Sequence, residues 1–181
     1  GTHLISGILY AIQNNFQITF THTKFWDMEI TQRTVKPIAI KESQHRWYLI
    51  AQDNKDGSIK NFGFDRISDL RISDTKFKPV VFDVEKAYKH AFGVETYAPE
   101  QKVILEFSWQ QGNYIKSFPL HSSQKIITDT QEKLVIQLLL HPTNDFTMEL
   151  MRFGAEVKVI EPEVLRNTIK DRVTNMIKLY K

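Results

Sequence analysis

The sequence predicts an α+β protein with two folded halves and a partly helical segment between them. Its first residues carry apolar side chains at helical spacing, and alternating apolar and polar runs separated by turn residues follow. After residue 101, strand-like and helix-like segments alternate. One helix and five short strands favour a small Sm/SH3-like β-barrel. The later order β(α)ββαβ with a terminal helix favours a ferredoxin-like α/β sandwich.

The first predicted element is a helix over residues 3–14. Apolar residues from Leu4 to Ile12 recur at i, i+1, i+4, i+5 and i+8, and Thr2 is suited to the N-cap. Five short strands follow this helix. We predict them at residues 16–23, 28–40, 46–52, 59–65 and 67–72.

The third and fourth strands form the most informative hairpin of the chain. They flank residues 53–57, which end in Asp-Gly, and glycine supplies the positive φ that such a turn requires. Alternation places Trp47 and Leu49 on one face of the third strand, and Arg46 and Tyr48 on the other. We therefore assign Trp47 and Leu49 to the core.

Residues 78–100 are predicted to connect the halves. Pro79 and Pro99 bracket the segment, and a short helix over residues 84–92 should make it pack against a domain. Beyond it we predict strands at 103–109, 124–128, 134–141 and 156–160, a helix from 143 to 154, and a last helix that begins at Pro162. The last helix carries an apolar stripe of Leu165, Ile169, Val173, Ile177 and Tyr180.

The composition is that of a globular protein with a slight basic excess. The 181 residues carry a net charge of +3, which is too small for a protein that coats duplex DNA. Cysteine is absent, which excludes disulfides, thiolate zinc sites and cysteine nucleophiles. We see neither a signal peptide nor an apolar run long enough for a membrane span, and we expect a cytoplasmic protein. Because the chain begins with Gly1, we expect its natural start to lie upstream.

The hairpin also carries a family resemblance. Trp47-Tyr48-Leu49, followed by Phe-Gly-Phe-Asp-Arg-Ile at residues 62–67, resembles the signature of WYL-domain proteins, which are mostly bacterial transcriptional regulators. Four further blocks match in the right order, which makes six in all, so the resemblance spans nearly the whole chain. Residues 18–20 and 33–37 resemble the opening strands of that domain, and residues 120–124 and 152–166 resemble the C-terminal extension called WCX.

The resemblance implies a domain organisation and partners. It suggests a WYL domain at residues 1–77, a linker at 78–100 and a WCX domain at 101–181. Such regulators carry a winged helix-turn-helix upstream, through which this protein would bind DNA. We also expect a homodimer, and we expect no membrane partner.

The predicted ligand site consists of four cations and one aromatic residue on the strands of the first half. Guanidinium groups bind phosphate bidentately, and aromatic rings stack on bases, so the set suits single-stranded nucleic acid or a nucleotide-like ligand. In the resembled family, cations and a tyrosine on these strands line a ligand-sensing pocket. Lys60 stands where arginine is commoner in the family, and Phe20 where tyrosine is. The predicted ligand-binding residues are Arg33, Arg46, Tyr48, Lys60 and Arg66.

Other polar residues have simpler interpretations. We take His22 and His45 as ordinary surface histidines, and the motif at residues 121–124 as a turn, because no oxyanion hole or orienting group accompanies its serines. Turns and helix starts explain the acidic residues, and we expect no metal, no cofactor and no enzymatic activity. The acidic residues in question are Asp53, Asp56, Glu161 and Glu163.

The main alternative is an interaction module in which both halves serve oligomerisation and no small ligand binds. Clustering of the five site residues in one concave pocket would favour the sensor. Their dispersal, with Arg66 paired to Asp65 or Asp69, would favour the interaction module.

Overall fold

The computed structural model describes residues 2–180. The chain divides into two compact units, Gly1–Val84 and Glu85–Lys181, and each is treated separately below. The prediction of a mixed α+β protein is confirmed: the first unit has an N-terminal helix, and each unit contains one antiparallel sheet.

The first unit begins with a 3-10 turn at Thr2–Leu4, which leads into helix α1 at Ile5–Asn14. The apolar spacing works as predicted, since Leu4, Ile8 and Ala11 are buried. The predicted N-cap is wrong: Thr2 lies inside the 3-10 turn, and the cap position is Leu4, whose side chain makes no capping hydrogen bond.

Five strands form the sheet of this unit, in the order β4-β3-β2-β1-β5, with all neighbours antiparallel. Within residues 2–180 no ladder joins β4 to β5, so the sheet is open and the predicted closed barrel is not confirmed. A 3-10 turn, Phe64–Arg66, replaces the end of the predicted fourth strand. The strands are β1 Phe16–Thr23, β2 Ile30–Ser43, β3 Arg46–Asp53, β4 Ile59–Gly63 and β5 Ile67–Lys76.

Period-two alternation gives this sheet an inner face that packs against α1. On β1 the inner residues are Ile18, Phe20 and His22, and on β3 they include Leu49 and Asp53. The apolar members fill the core, as predicted for Leu49. The polar members, His22 and Asp53, lie on the same face, and this arrangement brings charge to the rim of the core.

The second unit has the element order that the sequence predicts, β, α, β, β, α, β and a terminal helix, with strand order β7-β8-β6-β9. Its core combines inward residues of β6 and β8 with α3 and α4. The elements are α2 Val84–Tyr88, β6 Gln101–Ser108, α3 Trp109–Ser117, β7 Lys125–Asp129, β8 Lys133–Leu140, α4 Asn144–Arg152, β9 Val157–Glu161 and α5 Glu163–Lys178.

Two predictions for this unit need correction. The helix expected over residues 84–92 is shorter, Val84–Tyr88. The apolar stripe of α5 is buried only over its first turns, where Leu165 and Ile169 join the core, whereas Val173 and Ile177 are exposed. Within residues 2–180, helices are too short or too polar to span a bilayer.

Candidate ligand-binding face

The first polar cluster is built around the carboxylate of Asp53, the last residue of β3. Its side chain is 1% exposed. Oδ2 accepts hydrogen bonds from Arg33 Nη1 at 3.0 Å and from Lys60 Nζ at 2.8 Å, and Oδ1 accepts the backbone N–H of Lys55 at 3.0 Å. Lys60 also contacts Asp56 at 2.6 Å. Two cations and two carboxylates leave this cluster with no net charge.

Electrostatics hold the Asp53 cluster in its ionised form. Burial alone would raise the pKa of Asp53, but hydrogen bonds from Lys60 and the Lys55 backbone, with the charge of Arg33, bring it below its usual range. Hydrogen bonds from Lys60 and Ser58 hold the pKa of Asp56 far below normal. Burial opposes the charge of Lys60, yet its two carboxylate partners raise its pKa. The cluster therefore keeps four charges at neutral pH.

The second polar cluster consists of Arg46 and Arg66, which share the carboxylate of Asp65 in the 3-10 turn after β4. Arg46 Nη1 contacts Asp65 Oδ2 at 3.1 Å, with both side chains well exposed. Arg66 Nε lies 3.8 Å from Asp65 Oδ1, which is too long for a hydrogen bond. Two cations and one carboxylate give this cluster a net charge of +1, and Arg66 is its less neutralised member.

Arg66 combines a free donor with an aromatic neighbour. Its Nε is buried and finds no hydrogen-bond partner among residues 2–180, although 29% of the side chain is exposed. The guanidinium lies over the ring of Phe25 with 5.8 Å between Cζ and the ring centroid. Phe25 belongs to the β1–β2 loop, whose neighbouring Trp26 is 97% exposed. A cation beside exposed rings suits a ligand that carries both phosphate and bases.

His22 lies next to this cation on the inner face, and the prediction of a surface histidine is wrong. The residue is 8% exposed, and neither ring nitrogen has a hydrogen-bond partner in the described structure. The imidazole meets the edge of Phe62, with 5.3 Å between ring centroids. Burial, and then the charges of Arg66, Arg33 and Lys24, lower the pKa of His22. The ring is therefore neutral at pH 7.

The five predicted site residues fall into three places. Arg33 and Lys60 share Asp53, Arg46 and Arg66 share Asp65, and Tyr48 lies half-buried on the outer face, where it pairs with Lys41 and Gly63. A cavity of about 140 Å³ is lined by Arg46 together with Thr2, His45, Trp47, Phe64 and Asp65. A larger one, of about 440 Å³, is lined by Gln17, Lys36, Gln52, Asp53, Asn54 and Gly57. Among residues 2–180 the five site residues do not line one pocket, a dispersal that favours the interaction module, and the set as a whole stays a prediction.

Three features of this face were missed from the sequence. Asp53 does stabilise the turn, but it is also the buried centre of the ion pairs. Alternation with Ile18 and Phe20 would have placed His22 inside. An adjacent Phe25 and Trp26 in a polar loop could have marked an exposed aromatic site.

In the second unit, the motif at residues 121–124 holds loops together. The Ser123 hydroxyl donates to the Leu139 carbonyl at 3.0 Å and accepts the Leu139 N–H at 2.9 Å. The backbone N–H of Ser123 donates to His121 Nδ1. Gln124 bridges the backbones of Leu120 and Ile115. Burial is the main cause of a lowered pKa at His121. These contacts agree with the predicted turn.

The segment before β6 contacts the start of α4. The backbone N–H of Asn144 donates to Tyr97 Oη at 2.8 Å, and that of Asp145 donates to Glu95 Oε2 at 3.1 Å. These partners satisfy donors that a helix N-terminus leaves free. Across residues 2–180, no three histidine or acidic side chains are arranged to hold a metal ion.

Comparison with known proteins agrees with the resemblance. The family model of the WYL domain matches residues 3–72, and that of the WCX domain matches residues 99–177. No curated protein matches the chain. The boundaries 1–77, 78–100 and 101–181 stay a prediction.

Two solved structures are similar over nearly the full chain. Proteasome accessory factor B/C (PafBC) of Arthrobacter aurescens is 19% identical, with 99% of this chain and 27% of that chain covered and a TM-score of 0.40. A crystal structure of a CRISPR Cas-related protein is 13% identical, with 97% of this chain and 51% of that chain covered and a TM-score of 0.59, which shows a shared fold. This chain thus spans about a quarter and about half of those chains.

The fold and the two domain matches define the class of protein: a WYL domain followed by a WCX domain. The chain belongs to the WYL-domain family.

Proposed function

We propose that this chain is the ligand-sensing region of a bacterial transcriptional regulator, and that its first unit binds single-stranded nucleic acid or a nucleotide-like ligand. The observation that carries the proposal is Arg66. This cation is only weakly paired, its Nε has no partner among residues 2–180, and it lies on Phe25 beside the exposed Trp26. A phosphate would supply the missing acceptors, and the rings would stack on bases.

The other predicted residues contribute unequally in this proposal. Arg33 and Lys60 already donate to Asp53, so a phosphate must compete with a buried carboxylate for them. They add positive potential at the rim of the core and are weaker direct ligands. Arg46 is exposed and its pairing with Asp65 is a surface contact, so it is free to reorient. Tyr48 lies half-buried on the outer face of β3, the strand that also carries Arg46.

Sensing requires the ligand to favour one state of the protein. A ligand that binds two arrangements equally shifts nothing, so the phosphate site must change between them. Arg66 and Asp65 are suited to such a change, because they share an exposed turn. We propose that the output passes to DNA through an upstream winged helix-turn-helix.

The test is binding of a single-stranded thymidine oligonucleotide, on the order of ten nucleotides long, at low and moderate salt. We expect affinity to fall with salt, and Arg66→Ala to weaken binding roughly tenfold and lower the salt slope by about one phosphate. Fluorescence anisotropy of a labelled oligonucleotide measures both quantities.

Arg71→Ala is the matched control. Arg71 is exposed in the same unit and pairs with Thr19 on the outer face of the sheet. Its substitution therefore removes the same charge at a position distant from the Arg66 site. Equal losses in the two variants would reduce the effect to net charge. No binding by the folded wild type at low salt would refute the nucleic-acid proposal.

A second candidate function is oligomerisation, and the exposed stripe of α5 favours it. Val173, Ile177 and Tyr180 follow the buried Leu165 and Ile169 at helical spacing, but they face solvent in the single chain. Burial of these side chains against the same face of a second copy would give the predicted homodimer. Light scattering after gel filtration should show a dimer for the wild type and a monomer for Ile177→Asp, whose exposed site leaves the fold intact. A wild-type monomer at all concentrations would refute it.

A further inference from the structure

The buried imidazole of His22 needs an explanation that packing does not give. It is more than nine-tenths buried, and neither nitrogen has a hydrogen-bond partner among residues 2–180. An unpaired buried polar ring destabilises the fold, and phenylalanine would fill the place next to Phe62 without that loss. A polar group in this position suggests that it is used in another state of the protein.

Three cations lie near His22, namely Arg66, Arg33 and Lys24, and each is close to a residue that packs beside the imidazole or follows it in the chain. On β2 its pairing partner is Thr31, whose hydroxyl accepts from Arg33 Nε at 3.1 Å. On β5 its partner is Ile67, the residue after Arg66. The ring of Phe62 from β4 and Lys24 after β1 are further neighbours.

The carboxylates near these cations are already engaged. Lys24 pairs with Glu29, Arg33 with Asp53, and Asp65 lies 3.8 Å from Arg66. Asp69 accepts from Thr21, on the opposite face of β1 from His22. Burial, and after it the charges of nearby cations, thus keep His22 neutral, and an incoming anion would cancel the cationic part.

We propose that His22 is a protonation-coupled member of the phosphate site, which takes up a proton when a phosphodiester binds at Arg66. The neutral imidazole becomes an imidazolium, which adds a buried cation beside the phosphate at Arg66. This inference rests on the proposed nucleic-acid function and gives it a pH dependence. It also explains why a histidine, and not a third phenylalanine, follows Ile18 and Phe20 on the inner face of β1.

Linkage fixes the sign of the effect. The pKa of His22 in the free protein is below its ordinary value of 6.5, and an anion beside it raises the pKa in the complex. Binding therefore takes up protons between the two pKa values, and affinity falls as pH rises through that window, by at most tenfold per pH unit for one group. Below the free-protein pKa the imidazole is protonated in both states, and His22 no longer makes the affinity depend on pH.

The experiment measures binding of the thymidine oligonucleotide between about pH 5.5 and about pH 7.5, a range chosen to cover histidine titration. Neither thymine nor a phosphodiester titrates there. Calorimetry in two buffers of different ionisation enthalpy gives the number of protons taken up. We expect wild-type affinity to rise several-fold toward low pH with net proton uptake, and His22→Gln to lose both. His3→Gln, which changes an exposed histidine, should keep both.

The outcomes separate the inference from the proposed function. If the wild type does not bind at any pH, both fail. If it binds without proton uptake, or if His22→Gln keeps the pH dependence, His22 has no role and the function survives. Should His22→Gln not fold, an NMR titration of the wild-type His22 ring decides: its pKa must rise when the oligonucleotide is added, and an unchanged pKa overturns the inference.

Discussion

The Asp53 and Asp65 clusters have the same ingredients and different surroundings. Each centres on one carboxylate with two cations beside it in the first unit, and the Asp53 cluster also includes Asp56 as a second partner of Lys60. Asp53 is almost fully buried and accepts three close hydrogen bonds. Asp65 is exposed, and its contact to Arg66 exceeds hydrogen-bond length. Residue type therefore does not decide whether a cation stabilises the fold or remains available to a ligand. The burial of its carboxylate partner decides it.

Burial explains the difference. A buried carboxylate depends on its cations, and once satisfied it holds them in place, so Arg33 and Lys60 are committed to the fold. An exposed carboxylate is solvated with or without its partner, and the pair contributes little. The cations of the Asp65 cluster can therefore exchange a carboxylate for a phosphate at small cost. Substitutions in the two clusters should have opposite signatures.

The largest expected effect is on stability. Asp53→Ala leaves Arg33 and Lys60 without their buried partner and should lower the free energy of unfolding by about 3 kcal/mol. Asp56→Ala, which removes the exposed carboxylate of the same lysine, should have a much smaller effect. Urea unfolding followed by tryptophan fluorescence compares them. Equal shifts of the two midpoints would mean that Asp53 is not the centre of the cluster.

The same carboxylate predicts an acid limit. The pKa of Asp53 is lowered in the folded state from an ordinary value of 3.8, so its contribution is complete above that value and is lost as pH falls through the lowered pKa. Wild-type stability should therefore decline below about pH 4 more steeply than that of Asp53→Asn. Parallel stability curves for the two proteins would contradict this prediction.

Arg33 and Arg66 should differ in what their loss affects, stability for the first and ligand binding for the second. Arg33→Ala should lower the unfolding free energy by about 1–3 kcal/mol and weaken oligonucleotide binding by less than about threefold, since Arg33 is engaged by Asp53. Arg66→Ala should do the reverse, with a stability change below about 1 kcal/mol and a roughly tenfold loss of binding. Unfolding and anisotropy measured on the same preparations test the crossover. If both variants lose stability and binding in parallel, the division between the clusters is wrong.

The α+β class and the order of the strands could be predicted from the sequence, but the open sheet and the pairing of the charged residues could not. Alternation and turn signals placed every strand, because those patterns are local. The Arg33–Asp53 pair depends on the register of β2 against β3, where Val35 meets Asp53 only because a shift intervenes between Pro37 and Ala39. Pro37 is a local sign of a bulge, because proline cannot donate to the ladder, but it does not fix the register of the residues beyond it. The approach of Arg66 to Asp65 likewise depends on the 3-10 turn that ends β4 at Gly63.

Gly63 offers a way to move Arg66 without removing its charge. A Cβ there would lie 2.6 Å from Asp65 Oδ1 and 2.8 Å from Arg66 Nη2, the ends of two flexible side chains. Its φ of −64° suits any residue. Gly63→Ala should therefore weaken oligonucleotide binding a few-fold, less than Arg66→Ala, at a stability change below about 1 kcal/mol. Gly7→Ala is the control, since this helix site has room, and it should add about 0.5–1 kcal/mol of stability and leave binding unchanged.

The smallest effect has the most informative sign. Asp65→Asn removes the carboxylate that competes with a phosphate for Arg46 and Arg66, and the amide keeps its shape. Because the pairs are exposed, stability should hardly change, but oligonucleotide binding should tighten roughly two- to threefold, the equivalent of a surface ion pair. Asp53→Asn, by contrast, should destabilise the protein and leave binding no tighter. If Asp65→Asn weakens binding, Asp65 holds Arg66 in the binding orientation, and the exposed cluster would then be organised by its carboxylate just as the buried one is.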